Sequence, residues 1–96
     1  MLEIVACSHL RGERAATREA WDFRISARGL DSQVCTLWRA EAWDVCDGFG
    51  HALSDAQIAV RLGIDATQAP EARAECARLS EREYLRANPP ALRAVA

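Results

Sequence analysis

The sequence contains no lysine, and all 12 of its basic residues are arginine. Against them stand 14 acidic residues, which give a formal net charge of −2. Proteins that bind the phosphates of nucleic acid usually carry an excess of positive charge. Between Arg39 and Arg61 there is no basic side chain, whereas four acidic ones occur there: Glu41, Asp44, Asp47 and Asp55. This charge distribution disfavours a nucleic-acid partner.

Long apolar runs are also missing. No stretch approaches the length of about 18 consecutive apolar residues that a membrane span needs. The N-terminal stretch MLEIVACSHLRGER has no charged region ahead of its short apolar run, as a secretory signal would. We therefore expect no membrane association and a cytoplasmic location. In that compartment we expect the four cysteines to be reduced and buried as small apolar side chains: Cys7, Cys35, Cys46 and Cys76.

No spacing typical of a metal site or a catalytic site occurs. Cys7 and His9 are separated by one residue, and Cys46 and His51 by four, and neither spacing is that of a closed zinc site. No motif brings together a nucleophile, a base and an oxyanion donor. The sequence therefore predicts no metal, no cofactor and no enzymatic activity.

Alanine is abundant, at 19 of 96 residues, whereas Val, Ile and Thr together supply only 12. Alanine and arginine favour helices, and β-branched residues favour strands. We predict one mainly α domain over residues 1–96, a compact bundle of three to four helices, with α+β as the alternative. Its parts are an N-terminal strand and helix region (1–30), a helical core (33–79), and a C-terminal helix with a tail (80–96).

The N-terminal region allows both helix and strand. Residues 2–10 read as a short strand, and residues 13–29 follow helical spacing. We favour a helix up to Ala20. Residues 21–26 also alternate like a strand, which would pair antiparallel with residues 2–8.

Residues 33–48 predict an amphipathic helix, with Ser32 as N-cap and Gly48 past its end. Its apolar residues fall at helical spacing: Val34, Leu37, Trp38, Ala42 and Val45. Trp43 would lie near the acidic face. An exposed tryptophan beside carboxylates is typical of a protein interface, although a second core would bury it equally well.

Two further helices are predicted. After the linker FGHAL, Ser54 and Gln57 form a capping box for a helix that Gly63 ends; its buried stripe is Ile58, Ala59 and Leu62. The last helix would bury Ala72, Cys76 and Leu79. A second capping box, Ser80 with Glu83, predicts a break within it, and Pro89 and Pro90 end the regular structure.

The stretch LSDAQIAVRLGID, with Ala59, Gly63 and Ile64, resembles the first helix and turn of tri-helical helix-turn-helix domains of the LuxR and sigma-factor type. The resemblance covers residues 33–79. It implies a DNA-binding transcriptional regulator whose recognition helix would present base-contacting side chains: Thr67, Gln68, Glu71 and Arg73. We expect such a regulator to be dimeric, because a single small module with so little positive charge would bind DNA weakly.

Pro70 departs from that pattern. A recognition helix starting at Ala66, capped by Asp65 and Gln68, would place Pro70 fifth, where it costs about 3 kcal/mol. A later start, with Thr67 as cap, places Pro70 in the first turn, where a proline is tolerated. We therefore predict a delayed start, which shifts the helix that would enter the groove.

The function that we predict is that of a non-enzymatic protein-binding module. Small chains without catalytic motifs are common among phage and mobile-element regulators, including inhibitors of host defence such as anti-CRISPR proteins. One candidate contact surface is the acidic face: Glu41, Trp43, Asp44 and Asp47. The other is an arginine stripe, Arg78, Arg82 and Arg86, which would alternatively be a solvated face paired with glutamates: Glu75, Glu81 and Glu83. The helix-turn-helix regulator is the alternative function. The identity of a protein partner and the oligomeric state are left open.

Overall fold

The computed structural model describes residues 4–10, 17–27 and 33–88, which form an α+β fold. Its elements are β1 (Ile4–Leu10), β2 (Trp21–Ala27), β3 (Gln33–Arg39), β4 (Ala42–Cys46), α1 (Asp55–Leu62) and α2 (Ala69–Ala87). The four strands form one antiparallel sheet in the order β1-β2-β3-β4. The predicted bundle of three to four helices is therefore wrong, and the α+β alternative describes the chain.

The predicted helix over residues 33–48 is replaced by the β3–β4 hairpin. Trp38 faces Trp43 and Arg39 faces Ala42, so the loop between the strands has only two residues. Inward-facing side chains alternate along both strands and are buried: Val34, Thr36, Trp43 and Val45. Of the apolar residues at helical spacing, Val34, Trp38 and Val45 lie on this inward face. Pairing with β2 favours the strand because it places these side chains against the core.

The N-terminal strand pair is confirmed. β1 pairs antiparallel with β2, from Ile4 opposite Ala27 to Leu10 opposite Trp21. Residues 21–26 are thus strand. Of the helix expected up to Ala20, the structure describes one 3₁₀ turn, Arg18–Ala20; residues 11–16 lie outside the described part of the chain.

The three predictions for α1 are confirmed. Ser54 Oγ accepts from the N–H of Gln57 at 3.2 Å, and the Gln57 side chain accepts from the N–H of Ser54 at 2.8 Å. Gly63 ends the helix at φ 66°, in the left-handed region that glycine adopts without steric cost. The predicted stripe is buried: Ile58, Ala59 and Leu62.

The delayed start of the last helix is also confirmed. α2 begins at Ala69, with Pro70 in its first turn and Gln68 at the N-cap position, one residue after the predicted cap Thr67. A 3₁₀ turn, Ala66–Gln68, precedes it. The side chain of Gln68 accepts from the N–H of Asp65 at 3.2 Å, so this pair closes the turn and not an α-helix.

The predicted break at Ser80 is wrong, because α2 runs without interruption from Ala69 to Ala87. Ser80 is fully buried, and its hydroxyl lies against Thr36 of β3 rather than capping a new helix. Glu83 pairs with Arg86 on the surface. Pro89 and Pro90 lie outside the described residues.

The helix-turn-helix resemblance over residues 33–79 is wrong at the level of the fold. The supporting helix of a tri-helical domain would occupy residues 33–48, where the chain forms β3 and β4. The described ranges hold only two α-helices, α1 and α2. Neither of these is long and apolar enough to cross a bilayer.

One face of the sheet packs against α2 and α1. The residues of α2 contact mainly the two edge strands, β1 and β4. The buried side chains from the sheet include Phe23, Ile25, Val34 and Val45, and those from the helices include Ile58, Leu62, Ala72, Cys76, Leu79 and Tyr84. Full burial of a large apolar side chain contributes about 1.5–3 kcal/mol. The loop that follows β4 packs on the opposite face of β3 and β4.

Candidate functional site

Trp43, predicted beside the acidic face, belongs to the core. Only 7% of its surface is exposed, and its ring meets Phe23 and Trp38 edge-on at centroid distances of 5.5 and 5.4 Å. Its indole N–H donates to Glu81 Oε1 at 3.0 Å. The burial alternative holds for this tryptophan, so it offers no exposed surface to a partner.

Glu81 is the centre of a cluster that ties the chain ahead of β2 to α2. Arg18 donates to both of its carboxylate oxygens, at 2.9 and 2.6 Å. The guanidinium lies over the rings of Trp38 and Tyr84, at 5.0 and 4.6 Å from their centroids. The hydrogen bonds from Arg18 are the main reason that the pKa of Glu81 is lowered, and the bond from Trp43 adds to it. The charges of Arg18 and Glu81 are thus paired with each other inside the cluster. We call this cluster the Glu81 clamp, because it holds the chain ahead of β2 against α2.

The side chains that the helix-turn-helix resemblance offered to DNA do not form a reading surface. Arg73 donates to the carbonyl of Leu53 at 3.0 Å and to Asp55 at 2.8 Å, and it lies 3.8 Å from Asp44. Thr67 is exposed, and the side chain of Gln68 is used within its own turn. The single cation of the set is thus held by the protein's own acceptors.

The arginine stripe exists, because the unbroken α2 places Arg78, Arg82 and Arg86 at four-residue intervals. Arg78 pairs with Glu75, its Nε 3.0 Å from Oε2, and Arg86 pairs with Glu83. For Arg82, which is exposed, the described residues provide no hydrogen-bond partner. Two of the three arginines therefore match the alternative of a solvated, glutamate-paired face.

Asp47 organises the loop after β4, which we call the Phe49 loop (residues 47–51). Its Oδ1 accepts from the N–H groups of Phe49 at 2.8 Å and His51 at 2.9 Å, and Nδ1 of His51 lies 3.2 Å from Oδ2. Its backbone N–H donates to the carbonyl of His51, and its carbonyl accepts from Gly50. The hydrogen bond from the backbone of His51 is the first reason that the pKa of Asp47 is lowered.

The Phe49 loop lies on the face of the sheet opposite α2. Arg39 donates to the carbonyl of Gly50, whose φ of 85° lies in the left-handed region. A β-carbon at Gly50 would meet Leu37 at 3.4 Å, so loop and strand are in contact. Cys46 at the base of the loop is fully buried.

Phe49 sits at the tip of this loop with 89% of its surface exposed. The ring is thus presented to solvent by a backbone that hydrogen bonds fix on both sides. Sequence reasoning treated FGHAL as a linker and missed this residue. The available signal was an aspartate followed by an aromatic residue between two glycines, DGFG, since aspartate side chains commonly close such turns.

No known protein family, no curated protein and no solved structure matches this chain. A functional assignment therefore depends on the geometry of its own residues. Among the residues whose burial the structure describes, Val60 of α1 is a second exposed large apolar side chain besides Phe49, at 80%. It lines a shallow depression together with Ala56, Gln57 and Arg61.

The described residues offer little reactive chemistry. They contain no group of three His, Cys, Asp or Glu that is placed to hold a metal ion. Burial raises the pKa of the Cys46 thiol to about 11 and that of Cys76 to about 12, so both are protonated and weakly nucleophilic at neutral pH. His51 is exposed and contacts Asp47, not Cys46.

Proposed function

We propose that the protein is a non-enzymatic protein-binding module that inserts the ring of Phe49 into an apolar pocket of a protein partner. The observation that carries the proposal is an aromatic ring 89% exposed on a loop that Asp47 holds in place. Exposed aromatic anchors dominate the binding energy of many interfaces. Exposure of such a ring is unfavourable in the unbound protein, and a partner would remove that cost.

The hydrogen bonds within the loop support the proposal because they order the anchor before binding. A flexible loop loses conformational entropy when it binds, whereas a pre-ordered one loses little. The polar groups of Asp47 are satisfied inside the loop, so covering it by a partner leaves few of them without acceptors or donors. Burial of the phenyl ring itself contributes about 1.5–3 kcal/mol.

Under this proposal the partner is a folded cytoplasmic protein, and the module acts as a regulator or inhibitor of a host system, of the kind that anti-CRISPR proteins exemplify. The acidic side chains predicted as contacts have a secondary role. Asp44 is half-buried near Arg73, and Glu41 is exposed in the β3–β4 turn. Reversal of either charge is expected to change the rate of association more than the rate of dissociation.

The test compares wild type with Phe49→Ala as affinity baits in extracts of the native host. A protein retained by wild type is identified by mass spectrometry, purified and titrated by calorimetry. We expect Phe49→Ala to weaken binding at least 30-fold, which corresponds to about 2 kcal/mol, mainly through faster dissociation. Val60→Ala is the matched control, because it truncates another strongly exposed apolar side chain, on α1.

Equal affinity of wild type and Phe49→Ala for the purified partner would overturn the proposal that Phe49 is the anchor. Binding of duplex DNA that falls steeply with salt and persists in Phe49→Ala would overturn the protein-contact function itself. Asp47→Ala tests the contribution of loop order separately from that of the phenyl ring. This substitution keeps the ring but removes the acceptor for two loop amides. We expect an intermediate loss of affinity for that variant, expressed mostly in the association rate.

A further inference from the structure

Two cysteines lie side by side on the sheet face that carries the Phe49 loop. The register of the hairpin places Cys35 of β3 directly opposite Cys46 of β4. Directly opposed residues of antiparallel strands share one face, and their Cα atoms lie about 4.5–5.5 Å apart. A disulfide bridges Cα atoms about 4.4–6.8 Å apart. In this structure both side chains are thiols.

The two thiols differ in access. Cys35 is partly exposed, whereas Cys46 is fully buried at the base of the loop. An oxidant in solution can therefore reach Cys35 first. Cys46 is positioned to react with whatever forms on Cys35, because no other described cysteine is its neighbour across the strands: Cys76 lies on α2, among the core side chains.

We propose that Cys35 and Cys46 form a reversible intramolecular disulfide on exposure to a low-molecular-weight disulfide such as oxidised glutathione. The Cys35 thiolate attacks one glutathione sulfur, forms a mixed disulfide and releases one glutathione thiolate. The Cys46 thiol then loses its proton to solvent and attacks the Sγ of Cys35, which expels the second glutathione. Two electrons pass from the protein to oxidised glutathione, and excess reduced glutathione reverses both steps.

The burial that raises the pKa of the Cys46 thiol sets the kinetics of the second step. Only a small fraction of Cys46 is thiolate at pH 7, so the mixed disulfide on Cys35 accumulates before the ring closes. Asp44 raises the same pKa further and Arg39 opposes it. The rate of ring closure is therefore expected to increase about tenfold for each pH unit between pH 7 and 9.

Trypsin cleavage at the arginines places the four cysteines on four different peptides, so peptide mapping identifies which cysteines are linked. Trypsin cleaves after Arg28, Arg39 and Arg61, so Cys35 lies on the peptide of residues 29–39 and Cys46 on that of residues 40–61. Cys7 and Cys76 lie on two other peptides. The folded full-length chain is incubated with oxidised glutathione at pH 8, quenched with acid, and analysed by intact mass and by peptide mapping.

We expect loss of two hydrogens without a retained glutathione, and a link between peptides 29–39 and 40–61. Cys46→Ala is expected to stop at one glutathione on Cys35, and Cys35→Ser to remain unmodified at Cys46. The same reaction in 8 M urea, a condition chosen to unfold the chain, controls for selectivity and should give several pairings. A stable glutathione adduct on Cys35 in the folded wild type, or a link from Cys35 to any other cysteine, would overturn the proposal. Neither outcome bears on the Phe49 anchor, which the partner titration tests separately.

Discussion

The hydroxyl oxygens of Thr36 and Ser80 lie 2.5 Å apart, both fully buried, where β3 meets α2. Ser80 also lies 2.8 Å from the carbonyl of Cys76, to which its hydroxyl donates. Since a hydroxyl has one proton, Thr36 must be the donor to Ser80. These two hydrogen bonds join the sheet to the helix and explain why the hydroxyl of Ser80 is not an N-cap.

The direction of these bonds makes the two single substitutions unequal. Ser80→Ala leaves the hydroxyl of Thr36 buried without an acceptor, and we expect a loss of about 1–3 kcal/mol in the free energy of unfolding. Thr36→Val leaves Ser80 bonded to Cys76 and should cost less, about 1 kcal/mol. Urea denaturation of both variants and of the double variant checks this. The double variant should lose less than the sum, and strict additivity would contradict the assigned coupling.

Acid should weaken the Glu81 clamp selectively. Because its pKa is lower in the folded protein than in the unfolded chain, the pairing with Arg18 stabilises fully above about pH 4.3 and is lost as the pH falls through the folded-state pKa. Glu81→Gln removes this contribution at every pH. We expect a loss of roughly 0.5–1 kcal/mol at pH 7, reduced by screening because a third of the side chain is exposed.

The measurement is the urea midpoint of wild type and Glu81→Gln between pH 7 and 2. The difference between the two proteins should shrink as the pH falls below about 4.3. Other carboxylates with lowered pKa values, Asp47 and Glu75, titrate in both proteins and cancel. A difference that is constant with pH would show that the Glu81→Gln substitution disturbs packing instead of charge.

Two glycines of the Phe49 loop should respond in opposite ways to alanine. Gly50 has φ 85°, and a β-carbon there would lie 3.1 Å from Arg39 Nη2. We expect Gly50→Ala to cost about 1–2 kcal/mol. Gly48 has open space within 4 Å, so Gly48→Ala should be neutral or slightly stabilising. Thermal unfolding of the pair checks this, and equal melting temperatures would contradict the described loop conformation.

The turn of the β3–β4 hairpin carries strain that substitution should relieve. Ala40 and Glu41 both adopt positive φ, 45° and 67°, the pattern of a type I′ turn, in which Asn-Gly is favoured. The double substitution Ala40→Asn with Glu41→Gly is expected to raise the free energy of unfolding by about 1–2 kcal/mol. Glu41→Val should lower it. An unchanged urea midpoint for the Asn-Gly variant would argue against this turn.

The same turn shows why part of the fold escaped sequence reasoning. The signals for α1 lie within ten residues, from Ser54 to Gly63, and local interactions suffice to form it. The hairpin has no such signal, because Ala-Glu is not a typical turn sequence. Its strands are chosen by pairing with β2 and by burial against α2, which are contacts between residues distant in sequence.

In the candidate site, too, features set by neighbouring residues could be predicted from the sequence, whereas features set by distant residues could not. The constraint on the helix start at Pro70 is local and was predicted correctly. Whether Trp43 is buried depends on Glu81 and Phe23, which lie in other elements. The exposure of Phe49 likewise depends on the docking of its loop through Arg39. Neither could be derived from the spacing of residues alone.

The strand order β1-β2-β3-β4 also bears on how the molecule folds. Each sheet pairing joins strands that are neighbours in the chain. The sheet can therefore form by successive hairpin closures, and each closure costs little conformational entropy because the loop is short. The hydrogen bond between Thr36 and Ser80 joins residues 44 positions apart in the sequence. It can form only after α2 has packed onto the sheet. We therefore expect contacts between α2 and the strands to form late in folding, and substitutions there to accelerate unfolding more than they slow folding.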